Sequence, residues 1–304
     1  MSEQTGHADP ARVPPRDEGV LGAEEADGAA PGYQAEATLT VRTEIRRQLR
    51  RRRTALCLGL VVALPLVLVA AFKLGTPENA SGVSFGDLAT YSSVNFTVFT
   101  LASTAPLLLI LIVALVCGDA VASEASWGSL RYLLAIPVPR ARLLGVKLTV
   151  SLLTSAVALV VLTGTALAIG TAAFGWLPLR TAQGDDLPAV DALWRIGGML
   201  GYLAISLLLV AALAFWLSTC TDAPLAAVGG AVMVVILASI LNQVETLGVV
   251  RSLLPMHYSD AWQGLFTDPL QLEDMAKGAV SALIYATVFF GCAWWKFLRK
   301  DVLS

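Results

Sequence analysis

The sequence predicts an all-α integral membrane protein. It has six transmembrane helices, an amphipathic interfacial helix ahead of the first, and a short cytoplasmic helix between the second and third. Three observations carry this reading. Of 304 residues, 56% are hydrophobic and only 14% charged, with a mean hydropathy of +0.69; a soluble domain carries about 25% charged residues. Six stretches approach the ~20 residues that a helix rising 1.5 Å per residue needs to cross hydrocarbon. The charges are also segregated, so that a formal net charge of -2 conceals an acidic beginning and a basic remainder. Such a composition excludes secreted, fibrous, disordered and nucleic-acid-binding classes for the bulk of the chain.

Residues 1–37 are rich in Ala, Glu, Gly and Pro and poor in large apolar side chains. A segment of that kind cannot offset its ordering entropy, so a disordered cytoplasmic tail is expected there. Residues 38–304 are expected to form the transmembrane domain. Within 38–53, Val41, Ile45 and Leu49 recur at i, i+4 and i+8, with Arg46, Arg47 and Arg50 on the other faces. That pattern suits a short helix lying in the membrane interface against lipid; the plainer alternative is a positive-inside anchor with no defined helix. No apolar core of a leader precedes Thr54, so the first span is expected to serve as its own insertion signal.

Spans are expected near 55–73, 95–118, 148–173, 196–218, 224–242 and 278–297. Pro65 should give the first no more than a mild kink. Alternation of sides places fourteen Lys and Arg in the inside segments, leaving out the tail, against five outside. That bias puts both termini in the cytoplasm. Trp176 and Trp194 then fall near the outer boundary and Trp294 and Trp295 near the inner one, as interfacial aromatics should.

Little in this chain suggests chemistry of its own. The spans are nearly free of charge: Asp119 stands at the cytoplasmic end of the second, and Lys73 and Arg195 stand at outer ends. Ion- or proton-coupled transport needs buried ionisable groups, so energy is expected to enter from elsewhere. The four cysteines, Cys57, Cys117, Cys220 and Cys292, lie in or beside apolar segments, which argues against a disulfide framework. With His7 and His257 the only histidines, no metal site is expected. There is no GxxxxGK[ST] loop and no HExxH. One GxSxG, Gly82 to Gly86, falls in an outer loop with His257 as its only candidate base; a glycine-rich loop is the better reading, and no catalytic residue is assigned. Gly197-x3-Gly201 opens the fourth span and is expected to allow an internal close helix contact rather than a dimer seam. The outer loop 243–277, with Leu253, Leu254, Met256, Tyr258, Trp262, Leu265 and Phe266, reads as a segment dipping into the outer leaflet, as one capping the outer end, or as a plain surface helix.

The informative stretch is the inner connection from Gly118 to Arg142. On a helical wheel Glu124, Gly128 and Arg131 share one face, and Trp127, Leu130 and Leu134 an adjacent apolar one. Pro137 ends the helix, and Arg140 and Arg142 meet the headgroups. A docking surface and a membrane-lying loop helix are both compatible with this pattern.

Glu124, Gly128, Ser129, Leu130 and Arg131, followed by Leu133, Leu134, Pro137, Val138 and Arg140, form a pattern that resembles the inner loop of ABC-2-type transporter permeases. The basic helix before the first span, the six-span layout and the basic end (Lys296, Arg299, Lys300) resemble that family as well, over about residues 38–304. The resemblance implies the transmembrane subunit of a bacterial exporter in the cytoplasmic membrane, itself neither an enzyme nor a holder of any cofactor. Mg-ATP would belong to a separate ATP-binding subunit, present in two copies beside two permease copies, expected to be a homodimer. It further implies that the loop segment is a coupling helix, with Glu124, Trp127, Gly128, Ser129, Leu130, Arg131 and Leu134 at the ATPase contact and the helix at 38–53 resting against the same partner. A non-transporting anchor or sensor that docks an ATPase, or a membrane-embedded enzyme, are the alternatives.

Overall fold

A computed structural model of the chain describes residues 41–75, 85–126, 139–181, 184, 186–267 and 269–299. The proposed tail at 1–37 lies outside them. Helix α1 (Val41–Leu49) covers the middle of the expected amphipathic segment and leads across a break at Arg50 and Arg51 into α2 (Arg52–Leu74). Arg51 is extended at the break (φ -69°, ψ 128°). After the short α3 (Phe85–Ala89), α4 (Ser93–Thr104), one π-helical turn (Ala105–Leu109) and α5 (Ile110–Ser126) follow. Together these last three make a single 34-residue run. Pro106 sits at the start of the π turn: it has no N–H to donate and its ring crowds the preceding turn, so the helix widens there.

Helix α6 (Arg140–Phe174) comes next, then a two-residue antiparallel ribbon, β1 (Leu179–Arg180) paired with β2 (Asp186–Leu187), and α7 (Ala189–Cys220). Helix α8 (Pro224–Asn242) is followed by two 3-10 segments (Glu245–Leu253 and Ala261–Phe266) and α9 (Glu273–Leu298). Among the described residues, six helical runs are long and apolar enough to cross a membrane, so a multi-pass membrane protein is the natural reading. Each coincides with an expected span, but most are longer. The second runs to Ser126 rather than ending near 118, and the third begins at Arg140 rather than near 148. Hydropathy marks only the part of a helix that lies in hydrocarbon, whereas backbone hydrogen bonding continues through the polar turns beyond it.

Helix α7 is the axis of the bundle and packs most extensively on α9, α5 and α8; α6 packs on α4 and α2. In the most apolar window of α7, 61% of the residues are buried, against 11% for α2. The side chains that α2 turns outward, Leu56, Leu60, Leu66 and Val67 among them, form a surface too apolar for water and suited to lipid.

The buried face of α4 is unexpectedly polar, carrying Ser93, Asn95, Thr97, Thr100 and Thr104. Three of these hydroxyls donate to carbonyls one turn back (Thr97 to Ser93, Thr100 to Phe96, Thr104 to Thr100, each 2.8 Å). Local bonding of this kind lets threonine sit inside an apolar bundle without a distant partner.

The described residues of the segment 243–277 pack over one end of the bundle, with Trp262 6% and Leu265 3% exposed. The Arg195 guanidinium donates to the Leu265 carbonyl (2.7 Å), the Tyr202 hydroxyl to the Tyr258 carbonyl, and the Tyr285 hydroxyl to the Leu253 carbonyl (2.5 Å). The loop is thereby pinned to α7 and α9.

His257 belongs to this cap. Its Nδ1 lies 2.5 Å from Asn242 Oδ1, and its ring meets Tyr258 edge-on. Burial first, and then the Arg251 charge, hold its pKa below the usual histidine value, with Asp274 pulling weakly the other way. The neutral ring is therefore the form the fold favours. Stability from this source is complete above the unfolded-state value near 6.5 and is lost as pH falls from there through the lower folded-state value. Amide-exchange protection of 245–266 should be lower at pH 5.5 than at pH 7.5, and His257→Gln should flatten that difference.

Candidate functional site

At the opposite end of the bundle, α1, α5 and α6 meet over a cluster of charges. Helix α5 continues beyond its apolar stretch and so carries Asp119, Ser123 and Glu124 on into packed surroundings; their exposures are 6%, 1% and 2%. Helix α6, which starts at Arg140, brings in Lys147 at 5% exposure. Helix α1 delivers Glu44 and Arg47, the break after it Arg51, and the first turn of α2 Arg53.

Glu124 is the hub. Its Oε1 accepts from Arg47, from Arg51 Nη2 at 3.3 Å and from Lys147 Nζ at 3.2 Å. Asp119 takes Arg51 Nη1 on one oxygen (3.1 Å) and Arg53 Nη1 on the other (2.8 Å). Glu44 receives Arg47 at 2.8 Å and stands 3.6 Å from Lys147. Between the two α5 carboxylates, the Ser218 hydroxyl of α7 accepts the backbone N–H groups of Val121 and Ala122 at 3.0 and 2.9 Å.

Desolvating an ion costs several kcal/mol, which only good geometry and additional hydrogen bonds offset. Here four cations face three carboxylates, and Glu124 has three donors on one oxygen. Glu124 also lies in the last turn of α5, where the helix dipole disfavours an anion; its position is set by the cations around it. The arrangement ties an otherwise peripheral helix to the ends of two spans. The three buried ionisable groups, Asp119, Glu124 and Lys147, lie just beyond the expected apolar stretches 95–118 and 148–173, gathered at one end where they compensate one another.

Of the residues expected at a partner contact, Trp127, Gly128, Ser129, Leu130, Arg131 and Leu134 lie outside the described residues. Glu124 is described, and it is turned into the bundle instead of sharing an open face; the helix of α5 carries it past the point where a loop was expected. Within the interfacial helix, Arg46, Leu49 and Arg50 are exposed and Ile45 half-buried, while Arg47 is committed to Glu44 and Glu124.

The expected internal contact at Gly197 and Gly201 is not made: a Cβ added at either would meet nothing within 4 Å. Both face outward. Close helix approach occurs elsewhere, at Gly118 against Val228, at Gly170 against Ser93 and Phe96, and at Gly198 against Leu265. Gly197→Ala and Gly201→Ala should accordingly leave the thermal unfolding midpoint unchanged or slightly raised, since alanine favours helix by up to ~1 kcal/mol.

Sequence reasoning missed Glu44, Arg51, Arg53 and Lys147. One signal was present: no glycine or proline interrupts 119–127, so nothing stops the second helix where its apolar run ends. Among the described residues no group of three or more His, Cys, Asp or Glu could hold a metal ion. Ser84 lies outside the described residues.

No curated protein matches the chain. A family model described as a protein of unknown function, DUF2705, matches residues 61–303. The match opens inside the first span and takes in the other five, together with Asp119, Glu124 and Lys147, while the arginines of α1 and the break fall before it. It covers well over half of the chain, which therefore belongs to the DUF2705 family.

Proposed function

We propose that this chain is the permease subunit of an ABC-2-type transporter in a bacterial cytoplasmic membrane. It exports a hydrophobic or amphipathic substrate with energy from ATP hydrolysed on a separate subunit, two permeases working with two ATPases. The observation that carries this reading is the ionic cluster. It joins the basic N-terminal helix to the ends of the second and third spans at the point where the chain leaves for, and returns from, the segment bearing the ABC-2-like motif. A push on α1 or on that segment therefore reaches α5 and α6 through charged contacts with little slack. A partner can shift a conformational equilibrium only by binding its two states differently, and a junction of this sort transmits such a difference.

The test is reconstitution in proteoliposomes, with and without a candidate ATP-binding subunit. The chain alone should neither hydrolyse ATP nor move substrate uphill. Trp127→Ala should reduce ATPase association and transport together while membrane insertion is retained. Activity of the chain alone, or association untouched by Trp127→Ala, overturns the coupling assignment. Association without any transport favours an anchor or sensor.

A further inference from the structure

We propose that a cavity at the end of the bundle remote from the ionic cluster binds a lipophilic organic cation. Along the run from Ser93 to Ser126, the cavity-lining residues from Asn95 to Ala102 stand about 25–45 Å from Asp119 and Glu124 at 1.5 Å per residue. The cavity holds about 560 Å³, within the range of ~300–1,000 Å³ usual for small-molecule sites. Its walls are apolar and aromatic: Val98, Phe99 and Ala102 from α4, Leu179 from β1, Trp262 and Phe266 from the second 3-10 segment.

The polar groups at its rim differ in how fully they are already used. Asn95 is spent on the fold, since its amide accepts the Arg180 N–H at 2.9 Å and donates to the Arg180 carbonyl at 2.8 Å. The Arg180 guanidinium is held by both oxygens of Asp186, at 3.1 and 3.3 Å, and lies 3.9 Å from the centre of the Tyr91 ring. Its charge is thus matched. Asp260 lines the same cavity, is exposed, and forms no ion pair with any described residue. The site therefore offers a carboxylate without an ion pair among the described residues, beside aromatic side chains, a residue type that attracts cations. An apolar body with a delocalised positive charge satisfies both features; an anion of the same shape satisfies only the first.

The inference does not depend on an ATPase partner, and its failure leaves the transport reading where it stood. The full chain in phosphatidylcholine nanodiscs is dialysed to equilibrium against tetraphenylphosphonium or against tetraphenylborate, with empty nanodiscs subtracted. Saturable binding of one phosphonium per chain is expected, with the borate weaker. Asp260→Asn should weaken the phosphonium about fivefold at low salt, the upper end for an exposed charge pair. Ala102→Leu, which fills the cavity, should weaken it about tenfold or more. Equal or tighter binding of the borate, no saturable binding, or an unchanged Asp260→Asn overturns the proposal. Asp260 is at the surface, so its variant decides the matter even if Ala102→Leu folds poorly.

Discussion

Replacing Glu124 by alanine should cost about 3–5 kcal/mol of stability, the range for breaking a buried ion pair by removing one partner. The reason lies in what is left behind. Lys147, at 5% exposure, would keep only Glu44, at 3.6 Å, and Arg47 would keep only Glu44 on the helix surface. Arg51 retains Asp119, which bounds the loss. Glu124→Gln, similar in shape but uncharged, should fall most of the way toward alanine, because the oxygen still accepts hydrogen bonds but no longer balances three cations. Arg53→Ala should cost less than about 1 kcal/mol: it too touches Asp119, but its side chain is 59% exposed and solvent screens it. The clean measurement is a double-mutant cycle on thermal unfolding in detergent. Glu124→Leu combined with Lys147→Met removes both desolvation costs and should recover part of what either single change loses, giving a coupling energy of about 2 kcal/mol. Strict additivity would show that the cluster is a set of independent contacts. Loss of exchange protection at 41–53 in Glu124→Ala would place the effect at α1, where the geometry puts it.

The six spans were legible because hydrocarbon imposes one requirement on every turn of helix that crosses it, and composition records this directly. Their ends were not, since turns outside hydrocarbon carry no such requirement: residues 119–126 and 140–147 look like loop by hydropathy and are helix by hydrogen bonding. That single difference explains the site. On a separate cytoplasmic helix Glu124 reads as part of an open face, but as a continuation of α5 it is carried beneath α1, where it can persist only if cations come with it. The seven arginines of 42–53 were visible as a topology signal, yet which of them turn inward depends on the break at Arg51, a tertiary feature. Gly197-x3-Gly201 failed for a related reason. Small residues permit close approach without compelling it, and these two lie on a face of α7 that no other described residue approaches. The polar face of α4 was overlooked because its threonines satisfy themselves on carbonyls one turn back and leave no partner pattern to read. Pro106 was visible, but proline in a helix is compatible with a kink, a widened turn or a break, and the choice lies with the packing around it.

Between two spanning helices, an added methyl should matter at Gly118. A Cβ there would stand 2.9 Å from Val228 Cγ2, 3.2 Å from the Val228 nitrogen and 3.3 Å from its Cα. A flexible side-chain tip can move aside, but two of these three atoms are backbone, so α8 itself would have to withdraw from α5. Gly118→Ala should therefore cost about 1–3 kcal/mol, the usual range for overpacking, against a helix-propensity gain of up to ~1 kcal/mol. Gly118→Val should cost more, because its branched side chain meets the same backbone with less room to rotate. The effect should also spread. Gly118 precedes Asp119, and the Ser218 contact lies one turn further on, so separating α5 from α8 loosens the end of the bundle that holds the ionic cluster. Thermal unfolding of Gly118→Ala beside Gly197→Ala provides the comparison, since the two carry the same chemical change on helices of similar composition. A drop in midpoint confined to Gly118 is the expected result, with reduced exchange protection at 119–126 and at 41–53. Equal midpoints for the two variants would mean that α5 and α8 do not approach as closely as the geometry requires, and the placement of Glu124 beneath α1 would need to be reconsidered with it.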